Sequence, residues 1–356
     1  MATVTVLGAG MMGSAFCLPA IDNGHEVRLV GTHLDGEVVA SLRDGGDHPK
    51  LKYPLPAQLS VYPIEELDVA MKGVDIIGVG VSSQGVRWAG HALGPYVSPE
   101  IPMVMITKGL EWNGDKFLLM PDVLSDALPL AMRGDVKPCA IAGPCIAGEL
   151  ARREQTCVVL TGREQGHLDR VTSVFATPYY HIFPSSDVVG VEVCAALKNA
   201  YALAIAFSSG IHEGRGGAPG SVAMHNYESA VFAQAALEMQ QVVTLLGGEV
   251  TTVLGLPGVG DLDVTCNGGR TGRFGRWLGT GLSVPAAIEK MEGATLECID
   301  IIRVFCGAFE AMSKQGRLGQ KDLPMMRHLG EVVLGHKPLS MPFAKFFKPL
   351  SGEQER

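Results

Sequence analysis

Thr3-Val4-Thr5-Val6-Leu7-Gly8-Ala9-Gly10-Met11-Met12-Gly13 decides the reading of this chain. The β-branched run Thr3–Leu7 predicts a strand, and the apolar stretch Met12–Asn23 after the glycines predicts a helix. Glu26–Val30 then supplies a second strand and completes a βαβ unit. A lone G-x-G-x-x-G is a weak signal, but one that leaves a strand and opens a helix is a dinucleotide fingerprint. Gly8 suits the tight turn, Gly10 lets a diphosphate approach the backbone, and Gly13 lets helix and strand pack closely. Uncapped N–H groups and the helix dipole favour the anion. Cofactor contacts are therefore expected at Gly8, Gly10, Met11, Met12 and Gly13. A tight turn with no ligand is the bland alternative.

Outward from this loop the alternation continues. Asp75–Val79, Met103–Ile106, Ala140–Ala142, Thr156–Leu160 and Tyr180–Phe183 read as strands, and Lys116–Asp126 as a helix among them. Strands interleaved with helices predict a mostly parallel sheet. From Val188 the texture changes to long Ala- and Leu-rich stretches: Val188–Phe207, Val222–Leu246, Val284–Lys290 and Leu296–Gln315. The expected organisation is a Rossmann-type α/β domain over residues 1–186 and an all-α domain over 187–356. The Ser185-Ser186-Asp187 cluster would cap the first long helix, and Ser351–Arg356 would be a frayed end.

Composition excludes several classes. Of 356 residues, 29 are Lys or Arg and 37 are Asp or Glu, so the net charge of −8 argues against a nucleic-acid or anionic-membrane binder. The eight cysteines lack CxxC spacing and lie mostly in apolar contexts, so reduced thiols and no metal are expected. Val188–Phe207 is apolar enough to suggest a membrane span, but Glu192, Lys198 and Asn199 interrupt it, and a buried helix is the better reading. The N-terminus shows no signal-peptide pattern, so a cytoplasmic protein is expected. After the second strand come Gly31-Thr32-His33, with no carboxylate or arginine at that point, so NAD and NADP both stay open, and His33, a candidate cofactor contact, could serve either cofactor or neither.

Two features of the helical half carry chemistry. Lys198-Asn199 interrupts an almost wholly apolar helix, and a buried lysine amine is pushed toward exchanging protons near neutral pH. A lysine snorkelling to the surface is the alternative. In Gly258-Val259-Gly260-Asp261, the carboxylate is placed to support that lysine, and Arg270 in the following glycine-rich loop suits a phosphate or carboxylate. The competing reading makes Asp261 a helix cap and leaves Arg270 solvated.

At these residues the chain resembles the NAD(P)-dependent glycerol-3-phosphate dehydrogenase family, from Val4 to about Pro324. Thr107-Lys108-Gly109-Leu110-Glu111 looks like its lysine-glycine segment, Gly143-Pro144 with Glu149 its Gly-Pro loop, and Leu197-Lys198-Asn199 its lysine-asparagine pair. Gly260-Asp261-Leu262 with Thr265-Cys266, and Leu296-Glu297-Cys298, follow in the family's order. The resemblance implies a 6-phosphogluconate-dehydrogenase-like fold and reversible hydride transfer between a nicotinamide and a phosphorylated polyol or ketose. It makes Lys198 the general acid/base, Asp261 its support and Lys108 a second catalytic group. Asn199, Thr265, Arg270 and Thr271 become substrate contacts, and Ser83, Lys108, Arg270 and Glu297 further cofactor contacts. It also implies a homodimer.

Some residues depart from the family. Thr271 stands where the family has Asn, Glu228 and Gln234 remove positive character expected beside the substrate pocket, and Gly210–Gly220 reads as an added loop. A larger polyol phosphate is then an open substrate. An unphosphorylated 2-oxo acid and a non-catalytic dinucleotide-binding regulator are the rival readings.

Overall fold

The computed structural model describes residues 1–219, 224–267 and 269–347. They divide into two compact units, Met1–Glu111 with Leu118–Ala195, and Trp112–Phe117 with Ala196–Arg356. The expected frayed end, Gly268 and the end of the expected glycine loop lie outside the described residues.

In the first unit the strands are β1 (Thr3–Leu7), β2 (Glu26–Val30), β3 (Ser60–Tyr62), β4 (Ile76–Val79) and β5 (Met103–Met105), followed by two short strands at the unit boundary, β6 (Leu110–Trp112) and β7 (Phe117–Leu119), then β8 (Cys139–Ala142), β9 (Thr156–Thr161) and β10 (Tyr180–Ser185). The helices are α1 (Met11–Asp22), α2 (Gly36–Arg43), α3 (Leu67–Ala70), α4 (Val86–Leu93), α5 (Met120–Ala127), α6 (Ala147–Ala151) and α7 (Gln165–Phe175). Eight strands form one sheet in the order β10-β9-β8-β5-β4-β1-β2-β3, parallel throughout except between β8 and β9. The seven strands read from the sequence all belong to it; β3 adds an eighth. β6 and β7 pair separately, so the helix expected over Lys116–Asp126 begins only at Met120.

Both sheet faces are covered, as a parallel sheet requires. Val4, Val6 and Ile76 face one core, where the Phe16 and Phe175 rings stack at 4.3 Å. Leu7, Ile77 and Val79 face the other, beside Val86, Leu93 and Leu124. Chain order reverses between β1 and β4, so the carboxyl end of β1 is the switch point where such sheets take their ligands.

The second unit is helical. α8 (Val188–Gly214) enters it, followed by α9 (His225–Leu246), α10 (Val250–Val253), α11 (Asp261–Cys266), α12 (Gly269–Gly279), α13 (Val284–Glu289), α14 (Glu297–Lys314) and α15 (Pro324–Val333). Asp187 caps α8 by accepting the Gly190 N–H at 2.9 Å. The apolar window of α8 is 94% buried within the protein, as in a core helix. One expectation fails here. Gly210 is not loop but helix, because α8 and α12 meet backbone to backbone: a Cβ on Gly210 would lie 2.0 Å from the Arg276 carbonyl, and one on Gly275 2.7 Å from that of Leu203. The close crossing needs glycine where the sequence suggested a turn.

Candidate active site

The dinucleotide loop sits at the switch point of the sheet unit. Gly8 turns at φ +115°, where a Cβ would lie 2.7 Å from the Gly80 carbonyl, and a Cβ on Gly13 would lie 2.1 Å from the Gly8 oxygen. Gly10 is different: nothing lies within 4 Å of its missing Cβ. It is also the N-cap of α1, with no side chain capping the helix, so the first-turn N–H groups of Met11, Met12 and Gly13 point onward without intrahelical acceptors. Open space over Gly10 beside amides with no intrahelical acceptor fits a diphosphate.

The remaining candidates of this unit follow other strand ends. Ser83 comes after β4 and Lys108 after β5; the Ser83 Cβ abuts Gly109, 3.1 Å from where a Cβ would be. His33 is exposed and packs edge-on against Trp88 at 5.3 Å. Sequence reading missed Asp35 and His48 here, and read Glu192 only as a polar break in an apolar helix. Asp35 lies some 20 residues beyond the glycines, the usual place for a ribose-binding acid. Its Oδ2 accepts from the Ala9 N–H at 3.2 Å and from the Thr32 N–H and hydroxyl at 2.8 Å each. His48, fully buried, reaches the Ala9 carbonyl. Glu192, on the first turns of α8, is 1% exposed; it accepts the Met120 N–H, and its Oε2 has no hydrogen-bond partner among the described residues. Burial pushes its carboxyl up to about 8, although the Lys108 charge pulls the other way. Its place in an apolar run was the available signal.

The helical unit gathers the other candidates. Lys198 is 6% and Asp261 1% exposed, and Lys198 Nζ donates to Asp261 Oδ1 in a direct ion pair. A π-helical turn over Leu256–Gly260 delivers Asp261 to the start of α11, and a Cβ on Gly258 would lie 1.9 Å from the Val253 carbonyl. One turn on, the Thr265 hydroxyl donates to the Asp261 carbonyl at 2.6 Å, which leaves Thr265 lone pairs to accept with. Asn199 Nδ2 donates to Glu297 Oε2 at 3.0 Å, and Arg270, half exposed, approaches Glu297 Oε1 at 3.7 Å. Thr271 is buried, and its side chain hydrogen-bonds the Cys298 thiol.

Two departures resolve differently. Glu228 lines a cavity of about 710 Å³ with Asp263, Cys266, Arg273 and Arg276, and accepts from the Ser208 hydroxyl at 2.7 Å. Gln234 does not line that cavity. It is 2% exposed and donates to Glu238 at 2.8 Å, so its reading as lost charge beside a substrate pocket is corrected to core hydrogen bonding. Glu238, which the sequence reading passed over, also accepts from Tyr201 and from the Met325 and Met326 N–H groups that open α15.

Residues 3–167 match the family model described as the N-terminus of NAD-dependent glycerol-3-phosphate dehydrogenase, and residues 187–342 match its C-terminus. An NADP(+)-dependent glycerol-3-phosphate dehydrogenase of Archaeoglobus fulgidus is 34% identical over 313 residues, 87% of this chain and 90% of that protein. A glycerol-3-phosphate dehydrogenase [NAD(P)+] of Bacillus velezensis is 29% identical over 335 residues, 94% of this chain and 90% of that one. In fold, the chain is similar to the crystal structure of glycerol-3-phosphate dehydrogenase from Coxiella burnetii, with a TM-score of 0.79 at 24% identity over 95% of this chain and 96% of that one. Matched along both halves, the chain belongs to the NAD(P)-dependent glycerol-3-phosphate dehydrogenase family of oxidoreductases acting on CH–OH groups.

Proposed function

We propose that the chain interconverts sn-glycerol 3-phosphate and dihydroxyacetone phosphate, with Lys198 as the general acid/base. The observation that carries this reading is the buried Lys198–Asp261 ion pair in a chain of this family. Bound NAD(P)H supplies the hydride that reduces the carbonyl carbon, and the oxidised cofactor accepts it in reverse. The protein moves the proton. In reduction Lys198 Nζ gives one to the carbonyl oxygen as the C–O double bond becomes a C–O–H group, and in oxidation it takes that proton back. Asp261 stabilises the ammonium form of Lys198, which would be costly to bury alone.

Thr265 is given the substrate hydroxyl, since its own proton is held by the Asp261 carbonyl. Arg270 is given the phosphate, for which a half-exposed guanidinium steadied by Glu297 is suited. Asn199 positions the substrate from the same carboxylate. Thr271 is retained as a pocket-wall residue, and Lys108 as a second donor to the substrate oxygen. Gly8, Gly10, Met11, Met12 and Gly13 hold the diphosphate, with His33 and Ser83 flanking the cofactor. We further propose a cytoplasmic homodimer, tested by light scattering of the purified chain.

The functional test is oxidation at 340 nm of NADH and NADPH in parallel, with dihydroxyacetone phosphate beside larger keto-sugar phosphates and 2-oxo acids. Turnover of dihydroxyacetone phosphate is expected. Turnover of a 2-oxo acid alone would overturn the substrate, and no turnover with intact nucleotide binding would favour a non-catalytic regulator.

A further inference from the structure

Ala9 is the only residue between the first two glycines of the loop, and both of its backbone polar groups are tied by side chains from other segments. Asp35 Oδ2 takes its N–H at 3.2 Å, and His48 Nε2 lies 3.1 Å from its carbonyl oxygen. The tautomer of His48 is fixed by its surroundings. Its Nδ1 accepts from the N–H groups of both Lys50 and Leu51 at 3.2 Å, so the ring proton is on Nε2 and is donated to Ala9. The backbone of His48 is itself held, accepting from the Lys52 N–H at 2.8 Å and donating to the Tyr53 carbonyl at 3.2 Å. The ring is fully buried, so this is a rigid strut.

A trans peptide is planar, with its C=O and N–H pointing in opposite directions. The carbonyl of Ala9 shares its peptide with the N–H of Gly10. Turning that carbonyl to His48 therefore turns the Gly10 N–H the opposite way, away from the ring. Without the strut, the peptide is free to rotate and present its carbonyl, which repels an anion.

We propose that His48 is a positioning residue of the dinucleotide site, setting the Ala9–Gly10 peptide so that the Gly10 N–H faces the cofactor diphosphate, with Asp35 bracing the preceding peptide. This rests on the reading of the glycine loop as a dinucleotide site. The strut also carries a pH dependence. Protonating Nδ1 would set a new N–H against the donors of Lys50 and Leu51, and burial and the Lys50 charge disfavour the cation, while the Asp35 carboxylate and the acceptor at Ala9 favour it. The balance lies below the ordinary histidine range, so the strut holds through neutral pH and fails on the acid side.

The test is direct binding of NADH and NADPH to the chain without substrate, read from nucleotide fluorescence. His48→Leu, similar in bulk but without a donor, is expected to weaken Kd about tenfold, and His48→Gln, whose amide reaches the same carbonyl, to recover most of it. ADP-ribose, read by its displacement of NADH, should follow this pattern, and adenosine, lacking the diphosphate, should not. Unchanged Kd in a His48→Leu variant that keeps its circular dichroism, or a Gln variant as weak as Leu, overturns the proposal. Should the Leu variant not fold, the pH profiles decide. A one-proton weakening on the acid side in the wild type that is absent from His48→Gln supports it, and parallel profiles refute it. A wild-type chain that binds neither nucleotide removes the dinucleotide reading and this proposal with it.

Discussion

The glycine loop and the Lys198 cluster meet one requirement, offering polar groups to a charged small molecule, by opposite means. The loop uses backbone amides that no substitution short of proline deletes, so its precision depends on what holds the peptides. The cluster uses side chains buried among apolar helices, where each charge needs a partner. The loop should therefore fail by geometry, and the cluster by electrostatics. That difference organises what mutation should do to each.

The largest effect is expected at the cluster. Lys198→Met keeps the side chain's length and removes its proton, and should slow the hydride-transfer step by at least ~10²-fold while leaving NADPH affinity within twofold. Single-turnover kinetics beside a binding titration separates the two, and a full-rate Met variant would remove Lys198 from the chemistry. Asp261→Ala should lose both rate and stability, because it strands a buried ammonium, at a cost of about 3–5 kcal/mol.

Glu238 tests whether electrostatic failure belongs to buried carboxylates in general or to the reacting pair. Among the described residues it accepts from Gln234, Tyr201 and the backbone N–H groups of Met325 and Met326. Burial still raises its carboxyl above the ordinary range, with those four donors pulling it back. Glu238→Ala leaves buried donors without an acceptor, and a loss of about 3 kcal/mol is expected in urea unfolding, with the substrate KM unchanged in the folded fraction. A shifted KM would tie this cluster to the pocket.

Glu192 is the sheet unit's own electrostatic liability: among the described residues it accepts from the Met120 N–H, its Oε2 has no hydrogen-bond partner, and Lys108, Asp122 and Arg163 act on it by charge. Its folded carboxyl titrates near 8 against an ordinary 4.5, so the folded state holds a proton that the unfolded chain has released. Stability is thus favoured at low pH and lost progressively as pH rises from about 4.5 to about 8, by at most ~1.4 kcal/mol per pH unit. Glu192→Gln should flatten that part of the melting-temperature profile. A wild-type profile no steeper than the variant's would show the carboxyl to be ionised throughout.

How much of this was legible in sequence follows the same division. The seven strands and the long helices α8, α9 and α14 were readable because burial on both sheet faces, or within a helical core, leaves an apolar run in the chain. β3 was not, since its three residues are all only partly buried. Gly210 misled because a glycine that permits a helix crossing looks the same as one that permits a turn. Lys198 and Asp261 stood out by chemical contrast with their neighbours. Asp35 and His48 lie in polar segments of ordinary composition, and only folding reveals that both reach Ala9. Supports of a backbone site leave no pattern at the site itself.

The smallest stability change carries the sharpest test of the loop. Gly10 and Gly13 are interchangeable in a motif but not in space. An alanine at 13 would drive its methyl to 2.1 Å from the Gly8 carbonyl, backbone against backbone, so the loop must open and both stability and nucleotide binding should fall. An alanine at 10 meets no atom within 4 Å, and the residue is already in extended conformation at φ −69°, ψ 172°, which alanine adopts without strain. Gly10→Ala should therefore unfold within about 0.5 kcal/mol of the wild type. Its methyl would instead occupy the space left for the diphosphate, and NADH and NADPH affinity should drop at least tenfold. A Gly10→Ala chain that binds nucleotide normally would mean that the open face of the loop is not where the cofactor lies, and would leave the glycines with a packing role alone.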